Sequence, residues 1–355
     1  MHLAPPRPAS NLPPVRVNLF SDTQTRPTAA MKQAMMEAEV GDEQAGLDPT
    51  VNALCERMAA LTGKEAAVFL PRGTMCNQIS LLTHCTRGDA VLAHRTAHIL
   101  TSEGGGAAAL SGVQIAPLDG PGGQFSPETL KAAIYAPSRY APPLALVAVE
   151  QTANLGGGTV WPAWVLEEVA EIAHACGLAT HMDGARLLNA TVASGLSASL
   201  MASGYDSVWL DFTKGLGAPL GAVLCGSAEF IDRVWRWKQR LGGSLRQAGM
   251  CAAACIYALD HHVDRLAEDH ANAATLARLF GDLPGIAVEK PQTNLVFLDT
   301  GGSGRSAADL AQSLRQHGVL ISSMGPNRLR ACTHLDVDAA GVAEAAEIFR
   351  DILAV

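Results

Sequence analysis

Three charged side chains stand at or just after the ends of short apolar segments, where they could act together. Asp183 ends the segment LATHMD, Arg186 follows it by three residues, and Lys214 follows a segment that ends at Phe212. A carboxylate can hold a positively charged ring nitrogen, and a desolvated lysine can form a Schiff base with a carbonyl. An arginine can bind a carboxylate with two parallel N–H groups. Taken singly, these residues are more typical of a helix-capping aspartate, a surface arginine and a solvated loop lysine.

Further candidates follow other apolar segments. Gly73 and Thr74 follow the segment AAVFL and open a helix, whose free backbone N–H groups and positive dipole end suit a phosphate. His98 carries an imidazole that is flat enough to stack on a planar ring and can also move protons. Arg246 and Arg330 could bind anions, although each alone is more typical of a surface or interface arginine.

The order of these groups favours one cofactor. Along the chain come a phosphate turn, a stacking histidine, an aspartate at a strand end, a lysine at a strand end and a late arginine. Pyridoxal phosphate (PLP) needs these partners: the aspartate keeps the ring nitrogen protonated, so that the ring accepts electrons, and the lysine binds the aldehyde. The arginine would orient the carboxylate of an amino-acid substrate.

The elements that must position these residues alternate between strands and helices. This alternation predicts an α/β domain with a largely parallel sheet, in which ligands bind at the carboxyl ends of the strands. We expect a Pro-rich, flexible arm over residues 1–16, a large domain over 17–260 and a smaller C-terminal α+β domain over 261–355. The predicted strands are 66–70, 90–93, 144–150, 178–183, 207–212, 220–225, 294–299 and 329–332, and the main predicted helices are 27–38, 163–176, 263–280, 306–317 and 338–353.

Composition excludes several classes of protein. The chain has 355 residues, of which 48% are hydrophobic and 17% charged, so it is not a disordered chain. Its net charge of −8 argues against nucleic-acid binding. It has no long apolar run typical of a membrane span and no apolar segment typical of a secretory signal. The 8 cysteines form no CxxC pair, so we expect a cytoplasmic protein with free thiols and no metal site.

The motifs together resemble the low-specificity L-threonine aldolases, in the β-eliminating lyase and threonine aldolase superfamily of fold-type I PLP enzymes. The resemblance extends from about residue 19 to residue 353. The motifs that carry it are SDTQTRPT (21–28), EVGDE (39–43), the segment 48–78, HMDGARLLNA (181–190), KGLGAPLG (214–221), LGGSLRQAG (241–249) and RACTH (330–334).

The resemblance implies an aspartate aminotransferase-like fold with a seven-stranded sheet, and a role for each candidate. Lys214 corresponds to the Schiff-base lysine, Asp183 to the partner of the ring nitrogen and His98 to the ring-stacking histidine. It also implies a homotetramer, a dimer of dimers with shared active sites. The remaining correspondences are Gly73 and Thr74 for the phosphate, Ser21, Arg186 and Arg330 for the substrate carboxylate, and Arg246 as a residue contributed by a neighbouring subunit.

Three departures from the family pattern concern the substrate more than the cofactor. Arg72 replaces a serine of the phosphate turn, Ala45 replaces a tyrosine, and Ala153 replaces the histidine that meets the substrate hydroxyl. With that histidine absent, His98 is the candidate base. Because alanine is smaller than either residue that it replaces, we expect tolerance for a bulkier β-substituent, such as an aryl group.

The resemblance implies cleavage of a β-hydroxy-α-amino acid to glycine and an aldehyde. The substrate would be L-threonine, L-allo-threonine or a bulkier analogue such as phenylserine. One alternative is a PLP-dependent β-eliminating lyase that acts on a β-substituted amino acid and releases a keto acid and ammonia. A second alternative is a PLP-binding protein without turnover, which the presence of both Asp183 and Lys214 disfavours.

Overall fold

The computed structural model describes residues 11–354, which fall into two compact units. The larger unit is Thr25–Ala267, and the smaller unit combines the described residues before it with those from Glu268 onward. Each unit has its own sheet and its own apolar core. In the described part of the chain, no helix is both long and apolar enough to cross a membrane.

A seven-stranded sheet forms the centre of the larger unit, with strand order β2-β8-β7-β6-β5-β3-β4. Four neighbouring pairs are parallel, and only β8 runs antiparallel to its two neighbours. Strands such as β3 are buried along their whole length, which explains why their sequences are continuously apolar rather than alternating. The strands are β2 (Ala66–Leu70), β3 (Ala90–His94), β4 (Gln114–Leu118), β5 (Leu144–Glu150), β6 (Ala179–Gly184), β7 (Ser207–Asp211) and β8 (Ala222–Gly226).

Helices surround this sheet, and several begin at a polar side chain that accepts a hydrogen bond from the first turn. Asp48 caps α2 in this way, Pro49 occupies its first turn, and Gly63 ends it at φ 67°, a left-handed conformation that suits glycine. The helices are α1 (Ala29–Met36), α2 (Pro49–Thr62), α3 (Gly73–His84), α4 (His98–Thr101), α5 (Pro127–Ala133), α6 (Ala163–Ala175), α7 (Leu187–Ser194), α8 (Ala198–Ala202), α9 (Ala228–Arg240) and α10 (Gly249–His261).

The smaller unit packs helices on a five-stranded mixed sheet with strand order β1-β11-β12-β10-β9. Its core contains apolar side chains from both strands and helices, among them Leu19, Phe280 and Phe349. The strands are β1 (Val17–Leu19), β9 (Ala287–Val288), β10 (Leu295–Asp299), β11 (Val319–Ser323) and β12 (Arg328–Cys332). The helices are α11 (Leu266–Gly281), which starts at the division between the units, α12 (Ala307–Gln316) and α13 (Ala339–Leu353).

The division between the units differs from the predicted domain boundaries at residue 17 and near residue 261. Strand β1 pairs in parallel with β11, so residues 17–24 belong to the smaller unit rather than to the larger one. Of the predicted arm, residues 1–10 lie outside the described residues. The described remainder is tied to the smaller unit, because Arg16 pairs with Glu344 at 2.6 Å and Arg315 donates to the carbonyl of Pro13.

Candidate active site

The carboxyl ends of three neighbouring parallel strands bring the central residues of the site together. Glu150 at the end of β5 lies opposite Asp183 of β6, and Asp183 lies opposite Trp209 of β7. Lys214 follows β7 by three residues. Two small cavities open here, one lined by Glu150 and Asp183 with His98, the other by Lys214 with Arg186. The structure thus brings together, within the larger unit, four of the predicted site residues.

Asp183 is buried, with 5% of its surface exposed, and its carboxylate is held by two donors. The side-chain amide of Asn77 donates to one oxygen at 2.8 Å, and the backbone N–H of Ala185 donates to the other at 3.1 Å. Burial raises the pKa of Asp183, although nearby His98 and Lys214 and the bond from Asn77 oppose that rise. A buried carboxylate that faces a cavity and is costly to ionise is suited to a cationic ligand atom.

His98 begins α4 and is fixed by two carboxylates. Its backbone N–H donates to Glu150 at 3.1 Å, and its Nδ1 lies 2.8 Å from Glu103. Burial lowers the pKa of His98, but the hydrogen bond to Glu103 and the charges of Asp183 and Glu103 outweigh this effect, so the pKa lies above the ordinary value. Because Glu103 accepts the Nδ1 proton, Nε2 is the nitrogen that can exchange a proton with a ligand.

Glu103 and Glu150 are two acidic residues of the site that are not among the residues predicted from the sequence. Glu103 accepts hydrogen bonds from Asn77, Gln78 and His98. One ligand atom each from His98, Glu103 and Asp183 lie within 4.8 Å of one another, a spacing that could hold a metal ion, but N–H donors already contact these carboxylates. Burial, together with the charge of Asp183, raises the pKa of Glu150 to about 7.

Lys214, which follows β7, and Arg186, which follows β6, both line the second cavity. The side chain of Lys214 is 14% exposed, and its Nζ lies 3.4 Å from a carboxylate oxygen of Asp211. Its backbone carbonyl accepts a hydrogen bond from Thr25 at 2.8 Å, which fixes the loop that carries it. Arg186 is buried, and its backbone N–H donates to the carbonyl of Gln151.

The predicted phosphate turn forms the first turn of α3. Arg72 occupies the N-cap position, and its side chain makes no capping hydrogen bond, so the backbone N–H groups of Gly73 and Thr74 remain available to an anion. Gly73 is required here for space: a Cβ at this position would lie 2.0 Å from the ring of Trp209. Arg72 is exposed, and its extended backbone shows that it precedes the helix.

These groups fit PLP. The buried carboxylate of Asp183 matches a protonated ring nitrogen, the uncapped turn at Gly73 and Thr74 matches a phosphate, and the amine of Lys214 matches an aldehyde. His98 shares a cavity with Asp183, which suits a residue that stacks on the ring.

The remaining predicted residues lie elsewhere. Ser21 and Arg330 belong to the smaller unit, where Arg330 donates to the carbonyl of Phe20 at 3.4 Å and is therefore close in space to Ser21. Their contribution to the site of the larger unit stays a prediction. Arg246 lies in the loop between α9 and α10, where its side chain is 65% exposed and pairs with Asp42 at 3.3 Å, and it lines neither cavity.

The two alanines expected to enlarge the pocket line neither cavity. Ala153 is 2% exposed, and its Cβ faces Gly123, on which a Cβ would lie only 2.8 Å away. Ala45 is exposed in a single turn of 3₁₀ helix. Within one chain, neither alanine lines the cavity beside Lys214, and a preference for bulky substrates stays a prediction.

Comparison with known proteins assigns the chain to a class of enzyme, the lyases with an aspartate aminotransferase-like fold. The sequence model of the β-eliminating lyase family matches residues 18–302. The chain is 41% identical to the low specificity L-threonine aldolase of Escherichia coli (strain K12), over 95% of this chain and 99% of that protein. It belongs to the β-eliminating lyase family and is an enzyme of the lyase class.

Solved structures agree on the fold. The threonine aldolase of Leishmania major superposes with a TM-score of 0.82 at 19% identity, over 95% of this chain and 99% of that one. An aspartate aminotransferase double mutant of Thermus thermophilus superposes with a TM-score of 0.74 at 15% identity, over 95% and 92%. The predicted α/β fold class, with a mostly parallel seven-stranded sheet and a smaller α+β part, is confirmed, and the smaller part contains a mixed five-stranded sheet.

Proposed function

We propose that this protein binds PLP and cleaves L-threonine, L-allo-threonine or a related β-hydroxy-α-amino acid to glycine and an aldehyde. The observation that carries the proposal is the meeting of Asp183, His98 and Lys214 at the carboxyl ends of β5, β6 and β7. The similarity to low-specificity L-threonine aldolases supports the choice of reaction.

Each predicted site residue would have its own role in binding PLP or the substrate. Lys214 supplies the amine that binds the aldehyde of PLP, and Asp183 holds the proton on the ring nitrogen. When bound, PLP supplies an electron sink for the pair of electrons released as the Cα–Cβ bond breaks. Arg186 binds the substrate carboxylate, assisted by Ser21 and Arg330, and thereby orients that bond.

His98 is the group that would remove the proton of the β-hydroxyl. Its Nδ1 proton is committed to Glu103, so Nε2 can accept a proton directly or through a water molecule. Glu103 also raises the pKa of His98, which makes Nε2 a stronger base than an ordinary imidazole.

We further propose a cytoplasmic homotetramer in which each site takes Arg246 from a neighbouring subunit. Arg246 is exposed on a loop, and large apolar side chains are exposed nearby in sequence, with Leu47 at 69% and Met250 at 45%. Mixing Lys214→Ala and Arg246→Ala proteins after partial dissociation tests this arrangement. If sites are shared, the mixture regains activity that neither variant has alone; if Arg246 acts within its own chain, the mixture stays inactive.

Product analysis tests the reaction. The purified protein is supplied with PLP and, separately, L-threonine, L-allo-threonine and L-phenylserine, with Lys214→Ala as the control. Glycine and the matching aldehyde in equal amounts, absent from the control, are the expected result. A keto acid and ammonia without glycine would instead assign the protein to β-elimination, and a threonine rate far above the phenylserine rate would contradict the preference for bulky substrates.

A further inference from the structure

Asn77, on α3, makes four hydrogen bonds in the interior of the larger unit. It is 0% exposed. Its Oδ1 lies 2.7 Å from Trp209 Nε1 and 3.1 Å from His181 Nε2, and its Nδ2 lies 2.8 Å from Asp183 and 2.7 Å from Glu103. Two donors meet the amide oxygen and two acceptors meet the amide nitrogen, so every polar site of this side chain is used.

The indole of Trp209 fixes which way the amide points. An indole N–H can only donate, so its partner on Asn77 must be the carbonyl oxygen. The NH₂ group of Asn77 therefore faces Asp183 and Glu103, where it can only donate. If the amide were rotated by half a turn, its oxygen would face the carboxylates of Asp183 and Glu103, and its NH₂ group would face the N–H of Trp209. Both contacts are costly in a buried site.

The hydrogen bonds of His181, Ser207 and His84 can each have only one direction. Burial lowers the pKa of His181 to about 3 and that of His84 to about 4, so both rings are neutral near pH 7. His181 must donate from Nε2 to Asn77, which leaves Nδ1 as an acceptor for the hydroxyl of Ser207 at 2.8 Å. Since that hydroxyl has one proton, His84 must donate to it from Nε2, also at 2.8 Å. A one-directional chain thus runs from His84 through Ser207 and His181 to Asn77.

At its other end, Asn77 reaches both groups that are expected to contact the cofactor ring. One amide proton stabilises the carboxylate of Asp183 directly. The other goes to Glu103, whose same oxygen accepts from His98 Nδ1 at 2.8 Å. Asn77 therefore joins the partner of the ring nitrogen to the histidine that stacks on the ring.

We propose that Asn77 is a positioning residue that holds Asp183 ionised and His98 in place for PLP, and that the chain His84–Ser207–His181 fixes its orientation. This inference rests on the proposed function, because PLP is the ligand that these two groups would contact. It requires that the amide of Asn77 donates hydrogen bonds to Asp183 and Glu103.

The sharpest variant is Asn77→Asp, which keeps the shape and the acceptor for Trp209 and His181 but replaces the donor with an oxygen. PLP affinity is measured by titrating cofactor-free protein and following the absorbance of bound PLP. We expect the dissociation constant at pH 8 to rise by about tenfold or more, because a charge-assisted hydrogen bond is lost. Ser80→Ala is the matched control, because Ser80 is equally buried on α3 and, among the residues that the structure describes, its hydroxyl bonds to the carbonyl of Cys76 alone. Its effect should stay within about twofold.

The pH dependence separates positioning from a general structural role. The titratable groups facing residue 77 are Asp183, Glu103 and His181, and the two carboxylates favour the protonated form of the new side chain in Asn77→Asp. Once protonated, the carboxyl group of the variant again carries a donor. The ratio of variant to wild-type dissociation constants should therefore fall between pH 8 and pH 6. An unchanged dissociation constant, or a ratio that does not vary with pH, would overturn the proposal.

Neutron diffraction from cofactor-free crystals in D₂O tests the chain without any variant. Deuterons are expected on Nε2 of His181 and of His84, and a deuteron on Nδ1 of His181 would overturn the assignment. If Asn77→Asp does not fold, Ser207→Ala replaces it, with a smaller rise in the dissociation constant expected and no rise as the contrary result. A wild-type protein that binds no PLP would overturn the proposed function too, whereas equal PLP binding by wild type and variant would overturn this inference alone.

Discussion

Replacing Lys238 with methionine should destabilise the larger unit far more than the loss of an ordinary surface charge. Lys238 on α9 pairs with Glu43, and the side chains are 0% and 1% exposed. Methionine preserves most of the apolar stem but leaves the carboxylate of Glu43 buried with the backbone N–H of Leu245 as a remaining donor at 2.9 Å. Removing one partner of a buried ion pair costs about 3–5 kcal/mol.

The chain offers a matched control in Lys131→Met. Lys131 pairs with Glu168 at 3.1 Å, but these side chains are 56% and 37% exposed, so its loss should cost at most about 1 kcal/mol. The assay is urea unfolding of cofactor-free protein, followed by circular dichroism. The double variant Glu43→Gln/Lys238→Met should recover part of the loss, because no uncompensated charge then stays buried. Equal losses for Lys238→Met and Lys131→Met would refute the reasoning.

Three further predictions concern the site. Gly73→Ala should lower stability by about 1–3 kcal/mol in thermal unfolding, because its Cβ would overlap the ring of Trp209, and an unchanged melting temperature would contradict the close approach. Because burial raises the pKa of Glu150 to about 7, this group stabilises the cofactor-free fold fully below pH 4.5 and loses that contribution as the pH rises through about 7. Urea unfolding of Glu150→Gln at several pH values should therefore show a flatter decline over this window, by at most about 1.4 kcal/mol per pH unit, and equal slopes would exclude the effect. Glu103→Gln removes the carboxylate that raises the pKa of His98, so NMR titration of ¹³C-labelled histidine should show that pKa falling, and a constant value would contradict the assigned pair.

The parallel core of the fold could be predicted because strands buried on both faces have short, continuously apolar sequences. Predicted strands 66–70 and 144–150 coincide with β2 and β5, and the predicted helix 306–317 contains α12. Helix α1 begins two residues later than predicted, because Thr28 caps it and Pro27 precedes the cap. The capping side chain therefore determines at which residue this helix begins.

The elements that escaped prediction depend on long-range pairing. Strand β4 is exposed at two of its five positions, one of them Pro117, and it forms at the edge of the sheet beside β3. Strand β1 has only three residues and exists because β11 offers a parallel partner about 300 residues away. Neither the pairing nor the resulting domain division can be read from local composition.

The site shows the same contrast. The positions of Asp183, near the end of β6, and Lys214, in the loop after β7, could be predicted from the sequence, and their roles toward PLP stay predictions. Asn77, Glu103 and Glu150 could not be assigned roles, because their importance lies in contacts with residues far away in sequence. The sequence offers one signal for these residues, which is that each lies in or close to a segment that carries a predicted site residue or strand. Asn77 follows Gly73 by four residues, Glu103 follows His98 by five, and Glu150 ends the predicted strand 144–150.

We propose above all that Lys214, in the loop that follows β7, is the residue to which PLP binds. Borohydride treatment of the PLP-loaded protein, followed by peptide mass spectrometry, tests it most directly, because reduction makes the lysine linkage permanent. We expect one phosphopyridoxyl group per chain, on Lys214, and none in Lys214→Ala. Modification of another lysine with Lys214 untouched, or no modification at all, would contradict it.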